Sequence, residues 1–174
     1  MTFKVFISSS MKDMRIVEEL KETLERYGIE PILPTDIVIE KVMERHLFGD
    51  GIERRETRTM PWIANIQQQI HKSDCILVIV GMGGRRSEFV DLEIGMATAL
   101  NKLVVPIVEE GAKIPRTLVD RQFILIDRNQ PKLSYERAAQ YLNRLKIEKE
   151  RRNAIGGLLL LGLGLLLLNA LSGD

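Results

Sequence analysis

In the run "SEFVDLEIGMATAL" (87–100) a helix would gather Glu88, Asp91, Thr98, Asn101 and Lys102 into one polar sector. Glu93 falls on the opposite side, between Phe89, Ala97 and Leu100. A carboxylate facing a core costs several kcal/mol unless it is paired, protonated or used in chemistry. It can also be a structural glutamate satisfied by backbone N–H groups of a neighbouring loop, and the residues alone leave both readings open. Two other stretches carry groups suited to anions. "SSS" (Ser8, Ser9, Ser10) follows an apolar run, and "GMGGRRS" precedes the helix of Glu93, with Arg85, Arg86 and Ser87 at its end. Hydroxyls, backbone N–H groups and helix N-termini attract phosphate, and arginines add charge-assisted contacts. "GMGGRRS" is neither a dinucleotide-binding fingerprint nor a P-loop, so it equally suits a flexible strand-to-helix turn. Trp62 suits packing better than base stacking.

These residues need elements to hold them. "FKVFIS" (3–8) predicts a strand, and "SSSMKDMRIVEELKETLERYG" a capped helix. Ser10 and Asp13 have capping-box spacing there, Val17, Leu20, Leu24 and Tyr27 form a stripe, and Gly28 is the stop. "IEPILP" is a weaker strand whose prolines suit a sheet edge. Residues 35–60 resist assignment: "DIVIEKVMERHLFGDG" allows a helix and "IERRETRT" reads as a charged loop. "PWIANIQQQIHK" predicts a helix with Trp62, Ile63, Ile66 and Ile70 on one face, and "SDCILVIVG" a buried strand. The helix of Glu93, the strands "LVVPIVE" and "RQFILID", and an amphipathic helix "SYERAAQYLNRLKIEKE" complete the set. Strands and helices alternate, and the central strands are apolar throughout. That pattern predicts an α/β domain with five parallel strands covered on both faces. In such a sheet, ligands bind at the carboxyl ends of the strands where strand order switches, which is where "SSS" and "GMGGRRS" fall.

Composition narrows the function classes. The 174 residues suffice for one ordinary domain. Net charge is +1, so nothing in it suggests a nucleic-acid footprint, and no nucleic-acid partner is expected. A single cysteine, Cys75, lies in "CILVIV", so no internal disulfide forms, as suits a reducing compartment. His46 and His71 are too far apart in sequence to read as a metal pair. The stretch 155–171, "IGGLLLLGLGLLLLNAL", carries no charge and only Asn169 as a polar side chain. As a helix it would span about 26 Å, the short end of a membrane crossing. "KIEKERRN" before it predicts that the domain faces the cytoplasm. A greasy helix buried in the domain or in an oligomer is the alternative. No signal peptide is visible in "MTFKVFISSS". The predicted organisation is therefore a domain at 1–147, a basic juxtamembrane linker at 148–154 and a transmembrane helix at 155–171.

"FKVFISSSMKD", "GIEPILPTD", "SDCILVIVG" and, above all, "FVDLEIGMATALNKLVVPIVEEG" resemble a Toll/interleukin-1 receptor (TIR) domain of the NAD⁺-cleaving branch. The resemblance covers about residues 3–147. It is strongest in the first strand and in 73–108, and it departs from the family between 37 and 60. It implies a flavodoxin-like five-stranded parallel sheet, with the family's catalytic glutamate at Glu93. It also puts Ser8, Ser9 and Ser10 on the loop after the first strand, Asp36 on the acidic position after the second, and Ser87 at the mouth of the catalytic helix; Arg85 is a further substrate-binding candidate. The implied reaction is cleavage of the nicotinamide–ribose bond of NAD⁺, as substrate and without a further cofactor or metal. Self-association and a role in defence or signalling follow from the same resemblance. Gly157 and Gly164 could line a packing face in the tail, although no GxxxG pattern is present. Two other readings stand beside this one: a non-catalytic TIR adaptor, for which Glu93 is structural, and a nucleoside N-glycosidase of the deoxyribosyltransferase kind.

Overall fold

The computed structural model describes residues 2–34, 61–82 and 88–171, with 155–171 described as backbone only. Asp36, His46, Arg85, Arg86, Ser87 and the uncertain stretch 37–60 lie outside the described residues, as do the side chain of Trp62 and those of the apolar tail.

The chain alternates strand and helix. β1 (Phe3–Ser8) leads through a 3-10 turn (Met11–Asp13) into α1 (Met14–Arg26) and β2 (Ile29–Ile32). α2 (Pro61–Lys72), β3 (Cys75–Val80), α3 (Glu88–Ala99) and β4 (Leu103–Glu109) follow. A second 3-10 turn (Arg116–Leu118), β5 (Ile124–Ile126) and α4 (Pro131–Leu171) complete it. The strands form one five-stranded sheet in the order β2-β1-β3-β4-β5, and every pairing is parallel. The expected α/β architecture with five parallel strands is present, in the flavodoxin-like order.

Because side chains alternate along a strand, each central strand feeds two cores. Val5, Ile7, Leu77, Ile79, Val105 and Ile107 pack with Val17, Leu20 and Leu24 of α1 and with Tyr135, Ala138 and Leu142 of α4. Phe6, Ile76, Val78, Val80, Val104 and Val108 pack with Ile66 and Ile70 of α2 and with Val90, Ile94 and Ala97 of α3. Burial on both faces explains why β3 is apolar at every position. β2, with Pro31, takes the edge, where a missing ladder donor is tolerated. β5 is shorter than "RQFILID" suggests. It meets β4 only from Ile107 to Glu109, and Phe123 and Leu125 stay exposed at the other edge.

Two turns end helices by backbone geometry. Gly28 has φ +64 after α1, as its position past the stripe predicts. Asn101, φ 54, does the same after α3, where Lys102 N–H donates to the Ala97 carbonyl at 2.8 Å. The stretch 148–154, expected as a linker, continues α4 without a break. Lys146 Nζ donates to the carbonyls of Tyr27 (3.4 Å) and Gly28 (3.2 Å). Lys149 pairs with Asp74, whose other oxygen accepts from Lys4 N–H at 2.8 Å. Among residues 2–34, 61–82 and 88–154, no helix is long and apolar enough to cross a membrane; the apolar stretch 155–171, described as backbone only, lies outside those ranges.

Candidate active site at the strand switch point

The chain leaves β1 toward β2 and leaves β3 toward β4, so a crevice opens between the carboxyl ends of β1 and β3. Ser8 is the last residue of β1 and lies opposite Val78 of β3. Alternation puts it on the same face as Phe6, the face that α2 and α3 cover. On α3 the buried positions are Val90, Glu93, Ile94 and Ala97, the spacing of a core stripe. Glu93 therefore holds a core position, as its helical phase suggests, and it is only 4% exposed. Ser8 Oγ donates to Glu93 Oε2, across 85 positions of sequence.

That hydroxyl is the partner of a carboxylate otherwise deprived of water. Burial pushes the Glu93 carboxyl up to about 7, and the Ser8 hydrogen bond pulls in the opposite direction. Burial wins because a neutral hydroxyl returns only part of the lost hydration, and no cation pairs with Glu93 among the described residues. A carboxyl poised near neutrality at a strand switch point can bond to an electron-deficient carbon, stabilise a developing cation or exchange a proton.

The loop after β1 is held from the other side of the crevice. Ser10 was expected to cap α1, but its side chain does not bond the helix backbone. The 3-10 turn intervenes, and Ser10 Oγ donates instead to Asp13 Oδ2 at 2.6 Å. Asp13 is 7% exposed and lies directly over Gly81 at the exit of β3. A Cβ at Gly81 would come within 1.9 Å of Asp13 Oδ1. Glycine is required here by close approach and not by its φ. Ser9, between the two engaged serines, is half-buried. Beyond Gly81, Met82 N–H donates to Glu109 Oε2 at 2.7 Å, and Arg128 Nε lies 3.3 Å from Glu109 Oε1. Glu109 thus ties the β3 exit to the end of β4.

The structure brings together Glu93 and Ser8, with Ser9 and Ser10 on the adjoining loop. Asp13 sits over the β3 exit, and Glu109, on the face of the sheet that carries Ile107, ties that exit to β4; neither stands out as a site residue in the sequence. Asp13 read as a helix cap. Glu109 had a signal, as the first charge after an apolar strand at the ligand-binding edge. Cys75 lies at the other end of β3, buried, with its thiol pushed up to about 12 by burial first and by Asp74 second. It behaves as a small hydrophobe. Among the described residues, no group of His, Cys, Asp and Glu has the arrangement of a metal site.

Fold and site together define a doubly wound parallel α/β domain with a buried carboxylate at its switch point. The chain belongs to the TIR-domain family, whose model matches residues 5–145. No curated protein matches the sequence. Among solved structures, the chain is similar to the TIR domain of a Toll-related receptor from Hydra magnipapillata, with TM-score 0.50 and 16% identity over 79% of this chain and 96% of that one. It is also similar to a 2-deoxyribosyltransferase from Bacillus psychrosaccharolyticus, with TM-score 0.52 and 16% identity over 76% of this chain and 90% of that one. At such identity these likenesses concern the fold alone.

Proposed function

We propose that this TIR domain cleaves the nicotinamide–ribose bond of NAD⁺, with Glu93 as the reacting carboxylate. The observation that carries the reading is the burial of Glu93 at the switch point, bonded to Ser8 and unpaired with any cation among the described residues. TIR domains of some families cleave NAD⁺, and the chemistry suits this carboxylate. As the bond breaks, its electron pair goes to the nicotinamide nitrogen, which leaves neutral. Positive charge then develops on the ribose anomeric carbon and ring oxygen. A fixed carboxylate in a water-poor site stabilises that charge or bonds to the carbon, as the second carboxylate of a retaining glycosidase does. Because the leaving group starts as a cation, no general acid has to protonate it. The cationic ring also favours the ionised form of Glu93 on binding, offsetting the effect of burial.

Ser8, Ser9, Ser10, Asp36, Arg85 and Ser87 are the substrate-binding candidates that the resemblance implies, and in this reading Ser8 also orients Glu93 as a positioning residue. Water as acceptor gives ADP-ribose, and an internal nucleophile gives a cyclic isomer. We further propose that the apolar stretch 155–171 anchors the domain on the cytoplasmic face of a membrane, that the domain acts when self-associated, and that its output serves defence or signalling.

The same carboxylate geometry would serve a nucleoside, and the fold shared with a 2-deoxyribosyltransferase gives that second reading its place in the test. The full chain in detergent or vesicles is incubated with NAD⁺ and separately with deoxynucleosides, and products are separated by chromatography. Nicotinamide release by the wild type, abolished in a folded Glu93→Gln variant, supports the proposal. Release of a free base from deoxynucleosides, with NAD⁺ intact, favours the nucleoside reading. Turnover of neither at high density on vesicles favours the adaptor.

A further inference from the structure

α4 begins beside the carboxyl end of β5 and runs back along the sheet. Tyr135, Ala138 and Leu142 enter the core in turn. Lys146 then reaches the turn before β2, and Lys149 reaches Asp74, immediately before β3. The helix thus leaves the domain at the amino-terminal edge of the sheet, opposite the edge that holds Glu93. From Pro131 to Ala154 it has no glycine and no internal proline, so nothing in that stretch favours a hinge. That stretch is about 36 Å long.

The amino-terminal edge also has the surface chemistry of an interface with a charged bilayer. Leu103 and Ile147 are exposed there, at 44% and 47%. Lys72 is exposed at the end of α2. Lys102 Nζ is held at the edge by the carbonyls of His71 and Ser73, at 2.7 and 2.6 Å, and so keeps its charge uncompensated by those acceptors. From 144 to 152, α4 carries five basic residues against two acidic ones, Glu148 and Glu150. The other carboxylates at this edge among the described residues, Glu25, Glu30 and Asp74, are paired with Lys21, Lys4 and Lys149. Exposed aliphatic side chains among cations are the pattern of a surface that rests in a headgroup layer.

We propose that the amino-terminal edge of the sheet is the face this domain lays on an anionic lipid surface, with the Glu93 crevice held on the far side, open to water. This rests on the membrane-anchor reading of 155–171. It makes α4 both spacer and orienting strut: the anchor fixes the domain, and Lys146 and Lys149 set which edge faces the lipid.

The test uses the full chain in vesicles of phosphatidylcholine and phosphatidylglycerol that carry a nitroxide on the headgroup. A dye is attached at Lys72→Cys, at Ile147→Cys or, on the opposite edge, at Lys113→Cys. Buried Cys75 stays unlabelled. Loss of emission at 72 and 147 and none at 113, with the loss weaker on phosphatidylcholine alone, supports the proposal. Quenching at 113, equal quenching at all three, or none in a chain that floats with the vesicles would overturn it while leaving the anchor intact. Quenching that follows protein density and ignores the nitroxide lipid would assign the edge to a second copy. Failure to float would remove the anchor reading and this proposal together.

Discussion

Replacing Glu93 by glutamine makes a prediction that is independent of any substrate. In the unfolded chain the carboxyl titrates near 4.5, and in the fold it titrates near 7. Between those values the folded chain holds a proton that the unfolded chain has released, so stability falls as pH rises. Below the lower value both states are protonated and there is no penalty. Above the higher one the penalty is complete, about 3 kcal/mol. Glutamine has nearly the shape of the protonated acid and does not titrate. Its own packing and hydrogen-bond differences are constant with pH, so they drop out when two pH values are compared. From about pH 5 to about pH 8.5, the stability of Glu93→Gln relative to wild type should rise by about 2.5 kcal/mol. In a chain of this size that corresponds to a relative gain of roughly 5–10 °C in melting temperature. Urea unfolding of both proteins at the two pH values, followed by circular dichroism, measures it. A flat difference would refute the claim that burial dominates the Glu93 environment. A difference of opposite sign would show that Ser8 and unrecognised donors favour the carboxylate more than dehydration disfavours it. A relative gain in stability at high pH, together with loss of the reaction, is the pattern of a site maintained against folding stability.

Other outcomes follow from the same geometry. If Glu93 reacts as the carboxylate, kcat/KM for NAD⁺ should rise with pH to a plateau above about 7. The kcat profile should turn at lower pH, because bound cationic substrate favours ionisation; coincident profiles would contradict that. Ser8→Ala removes the interaction that lowers the Glu93 pKa, so the stability loss and the rise in kcat/KM should both move to higher pH. Gly81→Ala forces a methyl into the Asp13 carboxylate and should cost about 1–3 kcal/mol. Adding Asp13→Ala should recover part of that loss, whereas strict additivity in chemical denaturation would show that the two residues are not in contact. Asp74→Ala strands Lys149 and removes the acceptor for Lys4 N–H. It should lower stability by roughly 1–3 kcal/mol, and amide exchange should quicken first in the part of α4 around Lys149.

Much of the fold was legible because a doubly covered parallel sheet writes itself plainly. β3 and β4 could be bounded from "CILVIV" and "LVVPIVE", since burial on both faces leaves no polar alternation to confuse the reading. β5 was overestimated because Phe123 and Leu125 look like core residues, yet an edge strand paired along three positions leaves them in solvent. The Ser10–Asp13 spacing correctly marked a helix start. It could not show that a 3-10 turn would divert the pair into a side-chain contact over Gly81. Residues 37–60 had no clear period, and Asp36, Arg85 and Ser87 fall outside the described residues.

That Glu93 points inward can be read locally, because positions 90, 93, 94 and 97 share a face in any α-helix, whatever surrounds it. The end of a strand at Ser8 and of a helix at Gly28 are legible in the same local way. The meeting of Ser8 with Glu93, by contrast, is a product of the fold. Their contact depends on the parity of β1, on β3 lying beside it, and on α3 covering that face and not the other. None of these is encoded within a few residues of either partner. The same holds for the exit of α4 at the edge opposite Glu93. Its amphipathic pattern predicts a helix, but its direction across the sheet follows from β5 ending at the carboxyl edge and from Tyr135, Ala138 and Leu142 packing in turn into the core.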